Sequence, residues 1–412
     1  MDKGQQTKKP IRQQPWGYKE SFIIAIELLI IGFIFEILSK GKGVILLRFP
    51  ANLIIGVAFL FTLIIINRFR KENKFLNWLS STPAAISSIT LFCLLALLLG
   101  FIPQNPQNPN KIISLTGLDH VQRSWPILMA ELYLLTVLGL VALRRLKPLN
   151  TKNLGFLMNH GGMWITLFAM TLGSGDLLRL KLKLVENEKP KDMVVDGRLK
   201  LYKLPFKAKL LDFDIEEYPP KLAFIESNTK KIVSDITNNL TLLEKGLKIP
   251  INEWEFEIME YYAGSKKQDS IFIISDEFGA RASALVRAKN VNTGKITEGW
   301  IAPAILARPF EYLKIDSLHS ITLTVPEPKV YSSLIEIIDK NNNSDTILIE
   351  VNKPHSVKGW KLYQVGYEQQ MGRWSPVSIL EVVYDPWLPV IYTGIFMLII
   401  GGIYILWIGK DK

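Results

Sequence analysis

Six apolar segments, each close to the length of a membrane-crossing helix, constrain what this chain can fold into. A transmembrane helix needs about 20 consecutive, mostly apolar residues, and 48% of the 412 residues here are hydrophobic. The sequence therefore predicts a membrane protein with about six transmembrane α-helices. The segments are residues 20–39, 47–67, 84–103, 126–144, 155–174 and 387–408.

A long polar segment separates the fifth and sixth apolar segments. Stretches such as LKLYKLPFKAKLLDFDIEEY and SPVSILEVVYD alternate apolar and polar residues, which is the pattern of a half-buried strand. The turn-forming stretches VNTGK, NNNSD, VKGW and QMGRW separate them. We therefore predict a large, mainly antiparallel β domain between the fifth and sixth helices. The predicted domains are a tail (1–19), a bundle of five transmembrane helices (20–175), the β-rich domain (176–385), and the last helix with a short end (386–412).

Lysine and arginine in the short loops predict the orientation. The net charge is +11, and four basic clusters fall on one side of the membrane if the six helices alternate in direction. The positive-inside rule makes that side cytoplasmic, so both termini are expected in the cytoplasm and the β domain outside it. Lys40, Lys42 and Arg48 lie in the first outer loop and so weaken this assignment slightly. The clusters are Lys3, Lys8, Lys9, Arg12 and Lys19; Arg68, Arg70, Lys71 and Lys74; Arg144, Arg145, Lys147 and Lys152; and the final GKDK.

His160 lies inside the fifth apolar segment, in the stretch LGFLMNHGGMWITLFAM. A polar ring in hydrocarbon needs a partner, and ionisable residues within a membrane are candidates for function. Neutral imidazole is a common ligand of haem iron. Gly161 and Gly162 remove side-chain bulk beside the ring, which would let a flat ligand or another helix approach closely. A histidine that only hydrogen-bonds a neighbouring helix fits this position about equally well.

Three glutamates also lie within the apolar segments. Glu27 is at a depth similar to that of His160, measured from the same side, so it is a candidate hydrogen-bond partner for the imidazole. Glu36 and Glu131 lie near the outer ends of their helices, where we expect them to reach the lipid headgroups.

The other three histidines have no predicted chemical role. His120 precedes the fourth apolar segment and is expected to be exposed in a loop, next to a helix start at Trp125–Pro126. His319 and His355 fall in the predicted β domain, and we expect both to be structural.

Several classes of protein lack their signatures here. Cys93 is the one cysteine, so the chain has no CxxC pair and no CxxCH site for covalent haem. GxxxxGK[ST], HExxH and GxSxG are also missing. Because the basic residues flank apolar segments, membrane orientation explains them better than nucleic-acid binding does. We assign no catalytic residue to this chain.

Four stretches in order resemble the ResB (CcsB) family of System II cytochrome c biogenesis proteins. The similarity covers residues 150–408 and leaves the first two helices without a close counterpart. Many family members have three helices before the outer domain, whereas this chain has five predicted. The stretches are NHGGMWITLFAMTLGSGDLLRLKL, LPFKAKLLDFDIEEYPP, IEVNKPHSVKGWKLYQVGYE and VYDPWLPVIYTGIFMLIIGGIYILW.

The resemblance implies a haem-handling subunit in a bacterial inner membrane, with its large domain in the periplasm. Family members act with CcsA (ResC) to carry haem b across the membrane, where it is joined to the CxxCH thiols of apocytochrome c. His160 matches a family histidine that ligates haem together with one from CcsA. This chain lacks the tryptophan-rich motif of CcsA, so it is expected to be incomplete as a synthase. Thiol-reducing proteins of the same pathway are further expected partners, nucleic acid is not, and the helices contact lipid.

Two other functions remain open from the sequence. One is a polytopic anchor for an envelope-binding β domain, with His160 purely structural. The other is a membrane oxidoreductase subunit that uses quinone and a single b-type haem.

Overall fold

The computed structural model describes residues 16–105, 110–147, 149–197, 199–233, 241–306 and 308–408. The predicted tail (1–19) up to residue 15, residues 106–109 of the stretch PQNPQNPN (103–110) and the last four residues lie outside this set. The described residues divide into two compact units. A helical unit comprises the residues up to Leu177 and from Asp385 onward, and a β unit comprises Leu178–Tyr384.

The helical unit contains long apolar helices and two short ones. Five are long and apolar enough to cross a membrane: α1, α2, α4, α6 and α8. The helix that carries His160, α7, is long enough, but its polar residues and glycines lower its mean hydropathy. Its membrane crossing stays a prediction. The helices are α1 (Tyr18–Leu38), α2 (Ala51–Phe69), α3 (Lys74–Trp78), α4 (Thr82–Phe101), α5 (Lys111–Leu115), α6 (Trp125–Arg145), α7 (Thr151–Gly173) and α8 (Leu388–Ile408).

Helices α1, α4 and α6 pack around one apolar core. Alanines where these helices face each other, Ala25, Ala84 and Ala130, are at most 3% exposed and allow the helices to approach. Proline is tolerated in the first turn of a helix, and α6 begins at Trp125–Pro126 as the sequence predicts.

Helices α7 and α8 form the most extensive helix pair of the unit. The buried residues of α7 include Gly155, Gly162 and Ala169, seven positions apart, and those of α8 include Gly394 and Gly401, also seven apart. Small residues at this spacing keep one narrow stripe of each helix against the other and let the backbones touch. The pairing therefore follows from the sequence of the two helices.

The β unit consists of antiparallel strands in three sheets. The largest sheet has the order β14-β13-β3-β2-β1-β17-β16-β15, the second is β10-β9-β7-β6 with β8 paired to β7, and the third is β11-β12-β4-β5. The strands are β1 (Leu178–Val185), β2 (Lys191–Val195), β3 (Leu201–Glu217), β4 (Lys221–Glu226), β5 (Thr241–Leu242), β6 (Lys248–Ile251), β7 (Trp254–Gln268), β8 (Ile271–Ile274), β9 (Arg281–Asn290), β10 (Ile296–Ile301), β11 (Leu313–Lys314), β12 (His319–Leu323), β13 (Pro328–Ile338), β14 (Ser344–Glu350), β15 (His355–Val357), β16 (Trp360–Tyr367) and β17 (Val377–Tyr384).

The predicted antiparallel β domain is confirmed. Each predicted turn stretch joins two consecutive strands that pair with each other: β9 with β10, β13 with β14, β15 with β16, and β16 with β17. The burial of β3 alternates along much of its length, as its sequence predicts. Two separate apolar clusters fill the unit, one under the largest sheet and one between the others.

Candidate functional site

The packing of α7 on α8 determines which face of α7 carries His160. A Cβ atom at Gly162 would lie 2.6 Å from the Gly394 carbonyl oxygen and also against the Leu398 backbone nitrogen. Asn159 donates from its side chain to the Leu398 carbonyl oxygen at 3.1 Å. Gly162 and Asn159 therefore face α8. His160 lies on another face, since neighbouring helix positions are rotated by about 100°.

The His160 ring is half-buried and held by its own helix. Its Nδ1 donates to the Phe156 carbonyl oxygen at 3.1 Å, and the two rings stack with centroids 3.7 Å apart. A carbonyl oxygen only accepts, so Nδ1 carries the proton and a neutral ring keeps its lone pair on Nε2. Within the described part of the chain, Nε2 has no hydrogen-bond partner, and a Cβ at Gly161 would meet nothing within 4 Å.

This arrangement suits a metal ligand. Metal-binding histidines characteristically donate their other ring nitrogen to a carbonyl or carboxylate, which fixes the tautomer and the ring orientation. Among the described residues, no group of three or more His, Cys, Asp or Glu side chains is placed to hold a metal ion. Among the described residues, His160 is therefore not part of a larger group of candidate ligands.

Arg145, in the last turn of α6, completes a stack with the two rings. Its guanidinium carbon lies 4.6 Å from the centroid of the Phe156 ring. The neighbouring Arg144 points elsewhere and donates to the Ser80 carbonyl oxygen at 3.2 Å. A cation over an aromatic ring is attracted by the negative face of that ring. Positive charge is therefore fixed close to the imidazole.

Glu27 is exposed on α1. The main packing neighbours of α1 are α4 and α6, whereas α7 packs mainly against α8 and α6. The proposed hydrogen bond between Glu27 and His160 stays a prediction.

A second histidine site lies where α1 ends and α6 begins. The His120 side chain is 12% exposed, and its ring nitrogens contact two fully buried carboxylates, Glu36 at 3.3 Å and Asp119 at 2.5 Å. Each ring nitrogen therefore contacts a different acidic side chain. The expectation that His120 is an exposed loop residue is wrong. We call this group the Glu36–Asp119–His120 cluster.

Glu36 does not reach lipid headgroups either, because its side chain is fully buried. Its carboxylate accepts from the backbone nitrogens of Gly43 at 2.9 Å and Trp125 at 2.7 Å. Gly117, at φ +72°, passes so close that a Cβ would lie 2.9 Å from the carboxyl carbon of Glu36. These donors compensate for the cost of removing the carboxylate from water. The buried charge ties the end of α1 to the start of α6.

Glu131 likewise has a protein partner rather than a headgroup. Its half-buried carboxylate accepts a hydrogen bond from the Thr171 hydroxyl of α7. This bond links α6 to the half of α7 that lies beyond His160.

Asp176 fixes the end of α7. Its carboxylate accepts from the Phe49 backbone nitrogen at 2.8 Å, the Asn52 amide at 2.7 Å and the Trp387 indole at 2.8 Å. Burial alone would raise the pKa of Asp176, but these bonds and the nearby charge of Arg48 together hold it below its ordinary value. One carboxylate thereby joins α2, α7 and the segment that enters α8.

A cleft of about 410 Å³ lies within the β unit. Arg281, which is 5% exposed, lines it and donates to the carbonyl oxygens of Pro303 and Pro309 at 2.7 and 2.6 Å. Burial raises the pKa of Glu217, although the neighbouring Arg373 opposes the shift. The lining has no Ser, Thr, Cys, His or Lys among the described residues.

The two remaining histidines have structural surroundings. His319 stacks on Phe224 with ring centroids 5.0 Å apart and contacts Asp316 at 3.0 Å. His355 begins the short strand β15.

Sequence reasoning missed the Glu36–Asp119–His120 cluster because Glu36 lies 84 residues before His120 along the chain. The available signal was an adjacent Asp–His pair between Gly117 and the helix start at Trp125. A turn glycine and a helix N-terminus both supply backbone N–H groups, which attract a carboxylate from another helix.

The β unit is similar in sequence to a known protein family. A search of curated proteins finds none similar to this chain. Residues 271–377, about a quarter of the chain and all within the β unit, match the sequence model of the ResB-like family. This segment includes the stretch IEVNKPHSVKGWKLYQVGYE, whereas the other three family-like stretches lie outside it. Apolar helices flank that β unit along the chain, and its residues 271–377 are similar to the ResB-like family, which is involved in cytochrome c biogenesis.

Proposed function

We propose that this chain is the haem-handling subunit of a cytochrome c synthase and acts with a CcsA-like (ResC-like) partner. In this role it helps to carry haem b across the membrane for attachment to the CxxCH thiols of apocytochrome c. The similarity of residues 271–377 to the ResB-like family supports the pathway, and the surroundings of His160 support contact with haem. This chain binds and positions the cargo, while the partner completes the synthase.

The observation that carries the proposal is the hydrogen bond from His160 Nδ1 to the Phe156 carbonyl oxygen. It leaves the Nε2 lone pair for iron and prevents the ring from rotating freely. The space beside Gly161 leaves room for a flat porphyrin, whereas the space at Gly162 is taken by α8. The second axial ligand comes from the partner, because no other histidine lies in a long helix of the described chain.

The proposal also includes the orientation of the chain in the membrane. Both termini lie in the cytoplasm of a bacterial cell and the β unit lies in the periplasm, as the basic clusters indicate. There the β unit docks apocytochrome c, and thiol-reducing proteins of the pathway keep the client thiols reduced. A C-terminal tag should react with a membrane-impermeant label only after the cells are opened. Labelling in intact cells would contradict this topology.

The test is an absorption spectrum of the complex purified with its CcsA-like partner. We compare wild type, His160→Ala, and His355→Ala as the control in the β unit. Loss of an axial ligand should weaken or shift the Soret and α bands in His160→Ala alone, and added imidazole should restore them. Cytochrome c maturation should fall in parallel.

Other outcomes would support other functions. Identical spectra for wild type and His160→Ala would refute the ligand assignment. A complex without haem would favour the polytopic anchor for an envelope-binding β domain. Haem reduced by quinol at a catalytic rate would favour an oxidoreductase subunit.

A further inference from the structure

Arg145, Phe156 and His160 form a continuous stack between α6 and α7. Phe156 and His160 are four residues apart, so they lie on one face of α7, one turn from each other. The guanidinium is 4.6 Å from the Phe156 ring, and that ring is 3.7 Å from the imidazole. The last turn of α6 thus places a permanent positive charge beside the face of α7 that carries Phe156 and His160.

The charge of Arg145 has no anionic partner within the described ranges. None of its guanidinium nitrogens lies within ion-pair distance of a carboxylate there, and the side chain is exposed. Arg144, by contrast, donates to the Ser80 carbonyl oxygen. Arginine at a helix C-terminus is common, because it complements the helix dipole and faces the cytoplasm. That general preference explains two arginines, but it does not explain why one of them stacks beside His160.

A cation–π contact leaves the N–H edge of a guanidinium free, and that edge matches a carboxylate with two parallel hydrogen bonds. A lysine would provide the charge without this planar geometry. The ligand that suits both Nε2 and Arg145 is therefore a metal-containing macrocycle with carboxylates on its rim. Haem has this chemistry.

We propose that Arg145 binds a propionate carboxylate of the haem ligated by His160, and so orients the porphyrin edge toward the end of α6. This inference rests on the proposed function and extends it with a recognition residue. Arg145 then selects porphyrins that carry free carboxylates. Phe156 contacts both the guanidinium and the imidazole and keeps their relative position fixed.

The experiment compares iron protoporphyrin IX with its dimethyl ester, which has the same ring and metal but no carboxylate charge. Each is titrated into the detergent-solubilised complex with the CcsA-like partner, and the Soret band gives the two dissociation constants. Variants are Arg145→Gln, Arg145→Lys and the matched control Arg144→Gln. The ratio of the two constants cancels differences in protein recovery and in general porphyrin affinity.

Wild type should favour the free acid about tenfold, the effect of one charge-assisted pair. Arg145→Gln should reduce this preference to about twofold or less, with the positions of the Soret and α bands unchanged. Arg145→Lys should keep part of the preference, and Arg144→Gln all of it.

The experiment distinguishes failure of the Arg145 inference from failure of the proposed function. If the spectrum depends on His160 but Arg145→Gln and Arg145→Lys keep the full preference for the free acid, the inference is wrong and the proposed function stands. If wild type and His160→Ala give the same spectrum, both the inference and the proposed function are wrong. Should Arg145→Gln not fold, Arg145→Lys carries the test, and an unchanged preference in that variant overturns the bidentate contact.

Discussion

His160 and His120 are two histidines in the same helical unit with opposite surroundings. His120 has both ring nitrogens on buried carboxylates, whereas His160 has one on a backbone carbonyl and keeps the other free. A ring with both nitrogens on acidic side chains ties segments of the chain together. A ring with one nitrogen fixed and one free can bind a metal. The hydrogen-bond partners of each ring distinguish the two roles, whereas the position of each histidine in the hydropathy pattern of the sequence does not.

The energetics of the two sites differ for the same reason. Removing the hydrogen-bond partner of a buried polar group leaves that group unsatisfied, which is destabilising. Within the described residues, the second oxygen of Asp119 and the Trp125 indole nitrogen are already buried without partners. The Glu36–Asp119–His120 cluster therefore has little tolerance for losing the imidazole ring. His160 is half-buried, and its hydrogen bond is a local contact within one helix turn.

The largest predicted effect is that of His120→Ala. It leaves two buried carboxyl groups without the ring that both contact, so we expect a loss of about 1–3 kcal/mol for each carboxyl group in the free energy of unfolding. His160→Ala, the control, should cost about 1 kcal/mol. Unfolding in detergent, followed by tryptophan fluorescence, measures both. Equal losses would remove the distinction between the two histidines.

The next largest effect is expected from substitutions at the adjacent glycines Gly161 and Gly162. Gly162→Leu places a side chain against the backbone of α8, where overpacking costs about 1–3 kcal/mol, while Gly161→Leu enters open space. We expect only the first variant to destabilise the helical unit. Gly161→Leu should instead weaken haem binding by the complex. The reverse pattern would show that α8 does not approach α7 at Gly162.

The smallest effect concerns pH and Asp176, which anchors the helix of His160. Its pKa is lowered in the folded protein, so its contribution to stability is present above the unfolded value of about 3.9 and is lost as pH falls through the folded value. Wild type should therefore lose more stability below about pH 4 than Asp176→Asn does. Unfolding midpoints between about pH 3 and 7 measure this difference. Parallel pH profiles would show that the carboxylate is not held by its three donors.

Much of the fold was predictable because it depends on local patterns. The lengths of the apolar segments predicted the long helices. The alternation of apolar and polar residues, together with the turn-forming residues, predicted the antiparallel strands. The predicted segment ends differ from the helix ends by up to four residues, as at 47–67 against Ala51–Phe69. Helix ends depend on hydrogen bonds and capping rather than on hydropathy.

The sites were predictable only in part. His160 stood out because an ionisable residue in an apolar segment is conspicuous without any knowledge of its neighbours. Arg145 did not, because a basic residue at a helix end is ordinary until its contact with Phe156 is known. His120 was misassigned because its partner Glu36 lies on another helix, 84 residues earlier in the chain.

The sequence by itself determined the classes of element, the family resemblance and one candidate ligand. Each of these depends on residues close together in the chain or on a short motif. Only the tertiary structure decided the state of each polar group: which nitrogen of His160 is free, which glycine faces α8, and which carboxylates are buried. Hydrogen bonds and burial depend on atoms a few ångströms apart in space, and those atoms come from segments that are distant in sequence.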